Sequence, residues 1–277
     1  MHVPVLTYHA VSIAGNDYAD NDHVAFAADL RMIDDLGLRI VPVHWAVEQL
    51  LGLADRDLDG CVALTCDDGS DFDYFDLDHP QHGPQRSLFN AMRDLRTERG
   101  TDCQPNLHLT AFVIASAQAR DKMDKVYLSG KGRMGNNWWR AAGISGLMAI
   151  ENHSFDHNHP CLTEPGAGDM PRGSFLSVDT AQRAEAEISV AQQILNDHLA
   201  PRHATLFCYP FGHVPDFLRQ HWLPENGPTI GLKAAFGDGA QPITADSDIW
   251  NLPRYICGWH WKSPQQLETI LREGAGI

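Results

Sequence analysis

No apolar run in this chain approaches the roughly 18 to 20 residues needed to cross a bilayer. The start, Met1-His2-Val3-Pro4, has no basic stretch and no small-residue cleavage site, and it runs straight into a strand-like segment. Positive charge is scarce: 21 Lys and Arg stand against 36 Asp and Glu, a formal balance of −15. Nucleic acid and anionic membrane surfaces both need basic patches, so neither is expected as a partner. The six cysteines (Cys61, Cys66, Cys103, Cys161, Cys208, Cys257) form no CxxC pair and no dense framework. They read as free thiols in a reducing compartment, and with no leader visible the expected address is cytoplasmic. Repeats, low-complexity tracts and Pro/Ser-rich linkers are also missing, so a second domain has no sequence support. What remains is 277 residues that are 43% hydrophobic, enough for one large globular α/β domain.

Against that background one stretch is out of place. The apolar run Cys61-Val62-Ala63-Leu64 has the bounds of a buried strand, and it ends in Thr65-Cys66-Asp67-Asp68-Gly69. Adjacent carboxylates at a strand end repel, and a core gives no reason to put them there. A bound cation removes the repulsion, with one carboxylate holding the metal and the other handling protons. Far downstream, Asn152-His153-Ser154-Phe155-Asp156-His157 carries histidines at i and i+4, which can face one side of a turn. One Asp and two His make three protein ligands and leave a fourth position for water or substrate, the arrangement of a hydrolase.

Taken in order, strand-like runs (3–8, 38–43, 61–64, 108–115, 146–152, 204–209, 230–236, 252–257) alternate with helical ones (25–36, 45–53, 86–99, 179–199, 264–273). Residues 70–84, rich in Asp, His, Pro and Gly, read as a loop over one mouth of the fold, and Asp179 reads as the cap of the long helix. Residues 116–147 read as a surface insertion with a short helix. The alternation argues a parallel sheet covered by helices, closed as a single (β/α) barrel. His9, Asp67-Asp68, His153 and Tyr209-Pro210 then all fall at or just past strand C-termini, where barrels collect catalytic groups.

With those residues in place, the chain resembles the polysaccharide deacetylases, the carbohydrate esterase family 4 or NodB-homology group. Thr65-Cys66-Asp67-Asp68-Gly69 is similar to that family's first motif, His153-Ser154-Phe155-Asp156-His157 to its second, and Cys208-Tyr209-Pro210-Phe211-Gly212 to its third. Tyr8-His9 resembles an opening seen in a subset of relatives. The resemblance implies one catalytic domain over 1–277, a distorted or incomplete (β/α)7-type barrel with an insertion at about 116–147. It implies Asp67 as general base and Asp68, His153 and His157 as ligands of one divalent ion, Zn²⁺ by preference. Tyr209, Pro210 and Phe211 would contact substrate, with the Phe211 backbone N–H holding the oxyanion, and His9 would protonate the leaving amine. The arginine that usually orients the catalytic aspartate is missing, its position being Cys208, and Arg254 is the substitute on offer. The C-terminal Leu-x-His motif is missing too, leaving His260 in Trp259-His260-Trp261, and His159 could compete with His157 as a ligand.

The expected activity is removal of N-acetyl groups from an amino sugar or its polymer. Two other readings stay open: amide hydrolysis of a non-carbohydrate small molecule such as a cyclic ureide, and a carbohydrate-binding module with a decayed site.

Overall fold

The computed structural model describes residues 1–128 and 130–276. Its main sheet has eight strands: β1 (Val5–Tyr8), β2 (Arg39–Ile40), β3 (Cys61–Cys66), β4 (Leu109–Val113), β5 (Met148–Asn152), β6 (Leu206–Cys208), β7 (Ala234–Phe236) and β8 (Tyr255–Ile256). The order is β7-β6-β5-β4-β3-β1-β8, all parallel, with β2 beside the start of β3. Leu252, just before β8, bridges in parallel to Phe236 of β7, so the chain that ends the sheet on one side also touches its other edge. Seven strands thus curl into a nearly closed (β/α) barrel, the expected architecture, with short last strands leaving the seam irregular.

Strand residues of β1, β3 and β4 are buried throughout, which explains why these segments read as continuous apolar runs rather than alternating ones. The period of two still sorts them. Cys61 and Ala63 belong with Val5, Phe112, Leu206, Cys208 and Phe236 in one cluster inside the barrel. Val62, Leu64 and Cys66 belong to the larger cluster under the helices. Thr65 follows the inward set and meets Thr7, with their hydroxyls 2.8 Å apart. Continuing the alternation by one step past each strand aims Asp67 and His9 into the barrel mouth.

Some elements differ from the sequence expectation. Residues 70–84 are not a plain loop: they hold a turn at Asp71–Asp73 and an antiparallel hairpin of Leu77–His79 with Gly83–Gln85. Three-residue strands carrying Asp, His and Pro give no periodic signal. The long helix, 181–199 with a π-turn at Glu185–Ser189, is capped by Thr180, while Asp179 pairs with Arg183 at 2.8 Å. Residues 116–147 contain two helices, Ala117–Tyr127 and Trp139–Ser145, and Trp138 and Trp139 are both buried in the main core. Among the described residues no helix is long and apolar enough to cross a membrane.

Candidate metal and hydrolytic site

The mouth at the strand C-termini holds a cavity of about 400 Å³ whose walls include His9, Asp67, Asp68, His153, His157, Phe211 and Arg254. The local chain is bent hard to build it. Asp68, Ser154, His157, Asn158 and Phe211 all have φ between 45° and 74°, a region that costs a non-glycine residue energy, and three of them, Asp68, His157 and Phe211, line this cavity. Gly69, at φ 75°, has no such freedom to be anything else: a Cβ there would lie 2.6 Å from the Val113 side chain. This double left-handed turn separates the two acids, sending Asp67 one way and Asp68 the other.

Asp67 is buried, and Arg254 grips it with two parallel bonds, Nη1 to Oδ1 at 2.8 Å and Nη2 to Oδ2 at 3.0 Å. Arg254 is itself buried, fixed by Nε donating to the Gly237 carbonyl at 2.9 Å and lying over the Phe112 ring. Burial alone would raise the Asp67 carboxyl, but the Arg254 guanidinium, helped by His153, holds it well below the usual carboxylate range. The Cys208 thiol lies 3.6 Å from Asp67 Oδ2, where burial pushes its own pKa far up and keeps it a thiol. His9 Nε2 stands 3.9 Å from the same oxygen, and its backbone N–H donates to Asp22 at 2.7 Å.

Asp68 Oδ1 lies 3.7 Å from Nε2 of both His153 and His157. Three ligands at about 2.1 Å from a tetrahedral ion would sit roughly 3.4 Å apart, so this cradle is close to the size an ion requires. His153 Nδ1 faces the Cys208 carbonyl at 3.0 Å, which can only accept, so that nitrogen carries the proton and Nε2 presents its lone pair to the cradle. His157 Nδ1 is buried without a protein partner among the described residues. Desolvation lowers both histidines, strongly for His157, which keeps the rings neutral as ligation requires. The residues present therefore fit a divalent cation. The i, i+4 spacing works through a loop and not a helical turn: the His157 N–H donates to Ser154 Oγ at 2.9 Å, and the Ser154 N–H to Asn152 Oδ1 at 2.8 Å.

Of the other expected residues, Phe211 lines the cavity, its ring 4.3 Å from that of His157. Tyr209 and Pro210 are buried and not on the cavity wall; the Tyr209 hydroxyl donates to the Trp250 carbonyl at 2.8 Å. His159 is on the wall, but its Nδ1 accepts from Cys161, and it is not in the Asp68–His153–His157 group. His260 is spent on the Ile256 N–H at 2.7 Å, outside the cavity. Sequence reasoning overlooked Asp238, Met123 and Ile256 on the wall, where Trp259, 80% exposed, also stands. Asp238 follows strand β7 within Gly237-Asp238-Gly239, so the strand-end rule that found Asp67 could have flagged it.

Behind the His153–His157 loop lies a second acidic pair that the sequence did not suggest. Asp156 pairs with Arg172 at 2.7 Å, and Glu187, on the π-turn, sits against Asp156 with its carbonyl accepting from the Phe155 N–H. Burial, then Asp156 alongside, pushes the Glu187 carboxyl well above the ordinary range. An acid with a raised folded-state value gives its stability in full below the unfolded value of about 4.3 and loses it as pH climbs towards the raised one. Unfolding free energy is therefore expected to fall from about pH 4.5 to about pH 8, and Glu187→Gln to flatten that fall. Urea titrations across the range check this; an unchanged slope in the variant rules it out.

Residues 103–222 match the family model described as polysaccharide deacetylase. No curated protein matches the chain by sequence. Among solved structures, IcaB from Ammonifex degensii is 19% identical, with 100% of this chain and 97% of that one covered at a TM-score of 0.62. The Streptococcus pyogenes deacetylase PplD, solved in complex with acetate, is 15% identical, with 98% of each chain covered and a TM-score of 0.60. A putative polysaccharide deacetylase from Bacillus anthracis is 14% identical, with 98% of this chain and 69% of that one covered at 0.63. At such identities the shared property is the fold.

Proposed function

We propose, for a chain that matches the polysaccharide deacetylase family model over residues 103–222 and shares the fold of solved polysaccharide deacetylases along its length, a metal-dependent hydrolase that removes N-acyl groups from an amino-sugar saccharide. The observation that carries this reading is the Asp68–His153–His157 cradle standing beside an Asp67 that is ionised, buried and clamped by Arg254. A divalent ion bound there, Zn²⁺ by preference, supplies Lewis acidity to the amide carbonyl and lowers the pKa of a water towards about 7. Asp67 accepts the proton of the attacking water, its orientation fixed by the two guanidinium bonds. The backbone N–H of Phe211, a residue on the cavity wall, is the assigned donor for the developing oxyanion. His9, with Nε2 3.9 Å from Asp67 Oδ2, would hand a proton to the leaving amine. Asp238 and the exposed Trp259 ring border the outer cavity, a polar group and an aromatic face of the kind that hold a sugar ring.

The family arginine missing at Cys208 would leave Asp67 without its usual partner, and Arg254 makes that contact from just before β8. The test combines metal analysis with acetate release from N-acetylated glucosamine oligomers. Protein equilibrated with zinc is expected to bind about one ion per chain and to release acetate, and Asp68→Ala to lose both. Full metal content in Asp68→Ala, or undiminished release by chelated protein, would end the proposal.

A further inference from the structure

A second cavity, of about 310 Å³, lies against the metal cradle. Asp68, Met123 and His159 wall both spaces, so the two adjoin at the ligand group. Past those three the character changes: the remaining wall is Val11, Leu128, Met134 and the ring of Tyr127. Met123, Leu128 and Met134 belong to a small apolar cluster with Ile114 and Ala119, separate from the main core. An apolar satellite at the mouth of a barrel is otherwise hard to account for, because the mouth is where the chain meets water.

The wall is built, not incidental. The buried Arg120 donates to the Met134 carbonyl, and Asp124 accepts from the backbone N–H groups of Gly132 and Arg133 at 2.8 and 2.7 Å. Asp71 accepts from the Gly135 N–H at 2.9 Å and gives its own N–H to the Arg133 carbonyl. Three charged side chains thus tie the 132–135 segment to helix Ala117–Tyr127 and to the turn after β3. The chamber therefore exists before substrate arrives, and ordering it costs little on binding.

A hydroxylated sugar ring would bury its polar groups without partners on such a wall, whereas a hydrocarbon chain loses nothing. We propose that the chamber receives the acyl chain of the substrate, making the enzyme an N-deacylase for chains longer than acetyl. This rests on the deacylase reading above. Water adds its oxygen to the acyl carbon, the C–N bond breaks, and both water protons end on the nitrogen, giving an ammonium and a carboxylate whose tail occupies the chamber. Two methionines on the wall suit an occupant of variable length, since their unbranched chains adapt to irregular spaces.

The test uses the zinc-loaded full chain with glucosamine tetrasaccharides carrying N-acetyl, N-butyryl or N-hexanoyl groups. From acetyl to butyryl, kcat/KM is expected to rise by about fourfold per added methylene, the transfer value for a buried CH₂. Val11→Phe, which fills the chamber from a residue off the catalytic cavity wall, is expected to remove that rise and leave acetyl release unchanged. Product inhibition of the wild type gives a readout without any variant: butyrate and hexanoate should inhibit more tightly than acetate. Acetyl release with butyryl rejected, or a rise that survives Val11→Phe, overturns the chamber assignment and leaves deacetylation standing. Release from none of the three overturns the deacylase reading, and the chamber assignment falls with it.

Discussion

Asp67→Asn is expected to lower acyl release by about 10²–10⁴-fold, the usual contribution of a positioned general base. The substitution keeps the shape and removes the proton acceptor. Its neighbours argue that the loss will be chemical and not a loss of the ion: the three cradle residues are Asp68, His153 and His157, and none uses Asp67 as a hydrogen-bond partner. Metal content should stay at about one per chain while kcat falls. The combination separates this variant from Asp68→Ala, which should lose ion and rate together. Wild-type release by Asp67→Asn would mean that another group accepts the proton.

The second large effect concerns stability. Arg254→Leu leaves a carboxylate buried with no cation beside it, and breaking a buried pair in this way costs about 3–5 kcal/mol. Two bonds at 2.8 and 3.0 Å are lost at once, leaving Asp67 with the Cys208 thiol, His9 and His153 and no guanidinium. Burial, the largest influence on Asp67, then acts against His153 and His9 alone and drives the carboxyl upward. The sign follows: in the wild type the depressed carboxyl gives stability above its unfolded value of about 3.9, and the variant forfeits that contribution at neutral pH. The acid limb of kcat/KM should move to higher pH for the same reason. Combining Arg254→Leu with Asp67→Asn should recover much of the stability, because neither charge is then stranded. Thermal unfolding of the two single variants and the double gives the coupling directly. Strict additivity would show that the pair contributes nothing as a pair.

Residue by residue, the legible part of the molecule was the part set by local pattern. The run Cys61–Leu64 reads as a buried strand, which the structure extends to Cys66, and the period of two carried forward to Asp67 correctly predicts the face it takes. The same step places His9 after Val5–Tyr8 and His153 after Met148–Asn152, so three groups of the site are readable from where strands stop. The hairpin at Leu77–His79 and Gly83–Gln85 was not readable, because three-residue strands with Asp and Pro carry no period.

By itself, then, the sequence determined which side chains could do chemistry and at which end of the strands they would lie. Alternation and strand termination are local properties, written in neighbouring residues. Only the tertiary structure decided that Arg254, 187 positions from Asp67 in the chain, completes the acid's surroundings, that Tyr209 turns away to Trp250, and that Met123 and Met134 line a space beside Asp68. Those outcomes depend on how the barrel closes and which loops are tied across its mouth. Contacts of that kind are fixed by packing and burial between distant segments, and no short stretch of residues contains them.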